Sequence, residues 1–363
     1  MKALALYIHI PFCRRKCGYC DFYSVCSENL IPEFCNAACR SLQYQSGTCA
    51  AKHKIRSIYF GGGTPNLLSA EQLSGILKTI RSSFILDNNI ESTIEINPEF
   101  SHRSAALQEL RDLGFNRLSI GIQSLKNREL RFLGRLHSSR TALRCLKHAR
   151  MYFDNISTDL IYAIPGQSLA DLKSNVDRLL QFSPEHISAY NLNCEEGTPL
   201  AGSVAAGKVR LAGEDTERAQ FLFLHEYLLN KGYEHYEISN FAKPGFYSRH
   251  NSAYWDHQHY LGIGPSAHSM LYNIRYHYSA DIKQYLEKPE IFSQAEPALE
   301  SERIITGLRT SKGLDLKPLK TEKSAILMKY AEKHPEWLAV KDSRLYCTLE
   351  GWLMLDSILI DLI

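Results

Sequence analysis

Through the first 200 residues, short runs rich in apolar and β-branched residues alternate with longer segments of helical period. Six runs read as strands, at 5–10, 55–60, 93–96, 117–122, 157–164 and 186–192. Between them, 70–82, 104–113, 141–152 and 169–182 have the length and period of crossover helices. Repeated strand–helix order predicts a parallel sheet, because only a crossover returns the chain in the same direction. Each run ends in polar or glycine-rich sequence: a cysteine loop after the first, Gly61-Gly62-Gly63-Thr64-Pro65 after the second, then segments around Glu95, Gln123, Gly166 and Asn193. A barrel assembles its site at the C-terminal rim of its strands, so the pattern predicts an α/β fold, a partial (β/α)6 barrel, over a doubly wound sheet.

The regularity stops after Pro199. Residues 213–230 read as a helix and 233–238 as a strand, and an aromatic stretch from 241 to 278 follows. Six of the fourteen histidines fall between His235 and His277, which sets this segment apart. Helical patterns around 302–309 and 324–333, a strand or wing at 344–350 and a final amphipathic helix predict a small winged-helix-like appendage. The expected division is 1–200 for the barrel, 201–300 for an α+β extension and 301–363 for the appendage.

Composition narrows the class. Of 363 residues, 44% are hydrophobic and 22% charged, which excludes disordered, collagen-like and coiled-coil chains. Forty-two Lys and Arg against 39 Asp and Glu leave a formal net charge of +3, too little to predict nucleic-acid binding. No apolar run is long enough to span a bilayer. The N-terminal run ending at Cys13 superficially resembles a lipoprotein signal, but His9, Pro11 and the following Arg14, Arg15 and Lys16 favour a buried strand entering a loop. Ten scattered cysteines do not make a disulfide scaffold, so a reducing, cytoplasmic setting is expected. Peripheral membrane contact and homodimerisation stay open.

Three cysteines are not scattered. Cys13, Cys17 and Cys20 form a C-x3-C-x2-C run in the loop after the first strand. Soft thiolates from one loop suit zinc or an iron–sulfur cluster. Structural zinc wants a fourth ligand, and only His9 lies near in sequence. Three ligands on a four-iron cluster leave one iron for a substrate. Cys35 and Cys39 share a helix face, and Cys26, Cys49, Cys145, Cys194 and Cys347 read as small packing residues.

The run Tyr7-Ile8-His9-Ile10-Pro11-Phe12-Cys13 with Cys17-Gly18-Tyr19-Cys20 resembles the radical S-adenosylmethionine (SAM) superfamily, and the likeness continues through Gly61 to Pro65, Asn116-Arg117-Leu118-Ser119 with Gln123, and Asp159-Leu160-Ile161-Tyr162. Within it the chain is similar to the branch containing oxygen-independent coproporphyrinogen III dehydrogenase and the HemW haem chaperones. The resemblance implies a [4Fe-4S] cluster on Cys13, Cys17 and Cys20 whose open iron binds SAM. It implies Tyr7 and Tyr19 at the adenosyl group, Gly62, Gly63 and Thr64 at the methionine end, and Glu95, Gln123, Arg135 and Asp159 as ligands of SAM or of a second SAM molecule. Each alone has a plainer reading: the glycines as a tight turn, the carboxylates as partners of Arg117 or Arg135.

Two features separate the branches. The dehydrogenase pattern has a further cysteine two positions after the third ligand, where this chain has Phe22, and a longer lead than the twelve residues before Cys13. The chaperone pattern has His-Asn-x-x-Tyr-Trp, matched here by His250-Asn251-Ser252-Ala253-Tyr254-Trp255. The resemblance implies His250 as axial ligand of haem iron, with His257, His259 and His268 as weaker candidates. The expected function is therefore haem binding and delivery to haem-receiving apoproteins. The alternative is radical oxidative decarboxylation of coproporphyrinogen III in porphyrin biosynthesis, and a third idea, RNA modification, rests only on the winged-helix pattern.

Overall fold

The computed structural model describes residues 1–49, 52–99, 104–292, 294–297 and 300–363. Six parallel strands run in sequence order: β1 (Lys2–Ile10), β2 (His53–Gly62), β3 (Leu86–Ile96), β4 (Arg117–Gln123), β5 (Ile156–Tyr162) and β6 (His186–Asn191). The helices between them are α1 (Ile31–Cys49), α2 (Ala70–Ser83), α3 (Ser104–Asp112), α4 (Asn127–Phe132), α5 (Ser139–Ala149) and α6 (Leu169–Leu180). Local chemistry starts several of them. Ser69 with Gln72, and Ser168 with Asp171, form reciprocal capping boxes, and Ser138 caps α5.

Strand parity sorts the two faces. Leu6, Ile8, Ile58, Phe60, Ile94, Leu118, Ile120 and Ile187 are buried in one core with Leu73, Ile76 and Leu77 of α2 and Leu172 and Val176 of α6. Their alternates must face the other way, into the barrel. Those alternates are Tyr7 and His9, Ser57 and Tyr59, Thr93 and Glu95, Arg117 and Ser119, Ser157 and Asp159, His186 and Ser188. The barrel interior is therefore polar and aromatic.

The remaining elements extend this sheet at both edges. After α7 (Pro199–Ala205) and α8 (Glu214–Leu229), the short strands β7 (Glu234–Glu237) and β8 (Asn240–Ala242) add antiparallel beyond β6. The chain then crosses by α9 (Arg249–Trp255) to the opposite edge, where β9 (His259–Ile263) pairs parallel with β1. Next come β10 (His268–Leu271), β11 (Ile274–His277), α10 (Ile282–Glu287) and β12 (Gln294–Pro297). The sheet has twelve strands in the order β12-β11-β10-β9-β1-β2-β3-β4-β5-β6-β8-β7, and it does not close.

A second core holds the C-terminal elements together: α11 (Glu300–Leu308), β13 (Leu314–Asp315), α12 (Thr321–Lys333), β14 (Leu338–Lys341), β15 (Arg344–Cys347), α13 (Leu349–Leu353) and α14 (Leu355–Leu362). Ile304, Leu327, Leu345 and Ile358 are buried within it. Its three strands form their own antiparallel sheet. Among the described residues, no helix is long and apolar enough to cross a membrane.

Candidate active site at the barrel rim

The loop after β1 is held by a parallel bridge between Phe12 and Val25, with the Cys13 N–H donating to the Val25 carbonyl at 3.0 Å. This presents Cys13, Cys17 and Cys20 to a cavity of about 370 Å³ at the C-terminal ends of the strands. Among the described residues, no three His, Cys, Asp or Glu donors converge on a single-ion site. The three thiols instead line the wall of one cavity, an arrangement suited to a group of several metal atoms. Burial pushes the Cys13 thiol up and the Cys20 thiol up to about 11, so metal must displace protons as it binds.

Arg135 is the cation of the site. It donates to the Gly121 carbonyl at 2.9 Å, to Asn97 Oδ1, and toward Cys17 Sγ at 3.7 Å. Burial works against its charge, but Tyr19, Cys17 and Glu99 outweigh burial and hold it cationic. Glu99, paired with His137 at 3.2 Å, stays below the usual carboxylate range although burial acts to raise it. Thr64 ties the second strand to the loop, donating toward Cys13 Sγ at 3.6 Å and accepting from Asn97 Nδ2 at 3.0 Å.

Opposite lie two carboxyls. Glu95 accepts from the Tyr59 hydroxyl at 2.8 Å and from the Gly62 N–H at 3.1 Å. Burial, and then Asp159, raise it to about 7. Asp159 accepts from Ser119 at 3.2 Å, and burial raises it to about 6. Gln123 sits at a β-bulge with φ of 62°, and its Oε1 is buried with no partner. A buried, unpartnered acceptor beside two carboxyls of raised pKa is a polar set suited to a cationic ligand carrying amino groups.

Of the expected site residues, Tyr19, Gly62, Gly63, Thr64, Glu95, Gln123, Arg135 and Asp159 share the cavity wall with the three cysteines. Tyr7 does not. It lies deeper in the barrel, where its hydroxyl donates to His9 Nδ1 at 3.1 Å and its ring packs near Tyr59 and His250. Its ring therefore stands in the barrel interior, off the wall that the other expected residues share. The reason for the glycines also changes. A Cβ on Gly62, whose φ is +107°, would stand 2.5 Å from the His9 ring, and one on Gly63 would stand 2.6 Å from the Phe12 carbonyl oxygen. They let β2 pass close to β1 and the cysteine loop, whatever they admit from the cavity side.

His250 is likewise away from the rim. It is 1% exposed on α9, stacked 4.9 Å from the Tyr59 ring, with Nδ1 bonded to Ser57 Oγ at 3.1 Å and Nε2 to the Tyr254 hydroxyl at 2.9 Å. Burial, and then the charge of Arg117, push its pKa down to about 3. The imidazole is neutral, and both of its nitrogens are engaged by hydroxyls of the barrel interior. Cys145 is buried as expected of a packing residue; the side chain of Cys49 lies outside the described residues. Asn97 and Glu99 were visible only as strand-end polarity, and their contacts with Arg135 have no separate sequence signal.

A family model described as the radical SAM superfamily matches residues 7–179. The heme chaperone HemW of Lactococcus lactis is 34% identical over 331 residues, 86% of this chain and 83% of that protein. The heme chaperone HemW of Mycobacterium tuberculosis is 35% identical over 74% of this chain and 70% of its own length. Radical S-adenosyl methionine domain-containing protein 1, mitochondrial, of Danio rerio is 35% identical over 73% of this chain, which spans 60% of that protein. Among solved structures, coproporphyrinogen III oxidase (HemN) from Escherichia coli superposes with a TM-score of 0.84 over 99% of this chain and 89% of its own, at 22% identity, and so shares the fold.

Proposed function

We propose, for a chain that belongs to the HemW-like family of radical SAM proteins, that its work is to bind haem and pass it to haem-requiring apoproteins. Membership brings a [4Fe-4S] cluster and SAM as its cofactors. When bound, these supply one-electron reduction and radical chemistry. Cys13, Cys17 and Cys20 would hold the cluster, and Arg135 would balance the charge of the ligated thiolates. Glu95, Gln123 and Asp159 would meet the cationic end of SAM, with Tyr19 beside it. The single observation that carries the haem reading is the 34% identity to the heme chaperone HemW of Lactococcus lactis across 86% of this chain.

A second feature supports delivery over porphyrinogen turnover. Phe22 is 63% exposed at the cavity mouth, where the dehydrogenase pattern has a cysteine. We further propose a cytoplasmic setting, and the division into a barrel over 1–200, an extension over 201–300 and an appendage over 301–363. The test uses one anaerobically reconstituted sample. It should show saturable haem binding by absorbance, and no protoporphyrinogen when given SAM, a reductant and coproporphyrinogen III. Sustained formation of protoporphyrinogen would make the chain an enzyme of the alternative kind.

A further inference from the structure

Arg117 brings a permanent charge into the barrel interior. It stands on β4 and is 2% exposed. A guanidinium stays cationic at any working pH, so burial cannot neutralise it, and a buried charge is costly unless an opposite charge or hydrogen bonds offset it. Among the described residues Arg117 forms no ion pair, and its Nε is buried with no hydrogen-bond partner.

Register sets its place. Arg117 pairs with Thr93, and one inward step higher Ser119 pairs with Glu95. Ser119 donates to Asp159 at 3.2 Å, and Tyr59, the register partner of Thr93, donates to Glu95 at 2.8 Å. Arg117 therefore stands a layer below two carboxyls that line the rim cavity, and it does not line that cavity itself. Other buried carboxyls are engaged elsewhere: Glu91 accepts from the Arg249 and His250 N–H groups, and Glu237 pairs with Arg309 at 3.6 Å. Burial, and then the charge of Arg117, hold the imidazoles of His186 and His250 neutral. Burial likewise keeps Tyr7, Tyr59, Tyr190 and Tyr236 as phenols. Glu95 and Asp159 are left to answer the cation below them. Burial raises both, and the charge of Arg117 acts against the rise in both, joined at Asp159 by Arg135 from the rim.

We infer that Arg117 is a positioning residue for the SAM site: from beneath, and without touching the ligand, it keeps the Glu95 and Asp159 pair anionic enough at neutral pH to take the cationic end of SAM. This rests on the cofactor assignment above and not on the haem reading. Before SAM binds, the two carboxyls share about one negative charge opposite the guanidinium. The ligand's positive charge then favours the second ionisation, and the displaced proton leaves to solvent.

The test is SAM affinity of the cluster-loaded protein by equilibrium dialysis, from about pH 5.5 to about pH 8.5, with each variant expressed as a ratio to wild type so that the ligand's own titration cancels. Wild type should bind more tightly as pH rises to about 7.5, because a cation needs the ionised carboxylates. Arg117→Met removes the charge and keeps an apolar stem, so the carboxyls lose their protons later. Affinity should fall about tenfold at pH 7, the scale of titrating one pH unit higher, and return to wild type near pH 8.5. Arg117→Lys should keep the wild-type profile. Iron and sulfide content of each variant reports fold and cluster independently of SAM; should Arg117→Met fail to load its cluster, Arg117→Gln, neutral but still a donor, carries the same expectation. A loss of equal size at every pH would make Arg117 a packing residue and overturn the inference, as would a neutral variant with the wild-type profile or a wild-type affinity flat across the range. A wild-type protein that holds its cluster and binds no SAM would instead overturn the cofactor assignment.

Discussion

Glu95 shows how much chemistry one side chain carries at this rim. Its folded-state pKa of about 7 lies above the ordinary value of 4.5, chiefly through burial. The folded chain therefore keeps a proton that the unfolded chain loses, and stability falls as pH rises from about 4.5 to about 7, then levels. Glu95→Gln removes this dependence. Relative to wild type, cluster-free Glu95→Gln should gain by up to ~3 kcal/mol between pH 5 and 7.5; a difference that stays flat with pH would contradict the assigned ionisation. Gly62→Ala should lose about 2 kcal/mol or more in chemical denaturation, because φ of +107° and the His9 ring both oppose a Cβ. At this scale the sequence pointed to the three cysteines and eight further residues that share one cavity wall, since strand-end position decides it. Tyr7 shares their parity but not their wall: six residues before Cys13 is roughly 20 Å along an extended strand.

Among the elements, α9 is where motif and structure part most clearly. Its N-terminus is held by Ser248, which accepts from Asn251, and by Glu91 of β3, which accepts from the Arg249 and His250 N–H groups at 3.2 and 3.1 Å. His250 then bonds Ser57 and Tyr254, so α9 seals the barrel interior between two distant edges of the sheet. Replacing His250 with Ala leaves both hydroxyls unpartnered and should cost about 2 kcal/mol. Glu91→Ala should cost a further 1–2 kcal/mol by roughly the worth of a cap, measured in urea. The six barrel strands were legible because each is buried on one face and polar on the other. The start of β3 was not, since its first residues include exposed Asn88 and Asn89 and the register to β2 shifts between Leu86 and Glu91. Nor did the histidine-rich stretch announce β9 to β12, which are only four or five residues each.

On the scale of the whole molecule, one open sheet carries two surfaces of different chemistry. The rim of β1 to β6 gathers thiols, a buried cation and two carboxyls of raised pKa into one cavity. The edge beyond β1 carries the stacked rings of His268 and His277. Replacing Cys13, Cys17 and Cys20 together with Ala should abolish the cluster's iron and sulfide while the fold remains, since the core lies on the other face of the strands. Retained iron and sulfide would remove those residues as ligands. The central claim, that the chain carries haem in order to give it away, is tested most directly by transfer. The haem-loaded protein is mixed with an excess of a haem-requiring apoprotein, and the Soret spectrum and the acceptor's activity are followed together. The account predicts that the donor band declines as the acceptor gains its own spectrum and becomes active; haem that stays on this chain while the acceptor remains inactive would contradict it.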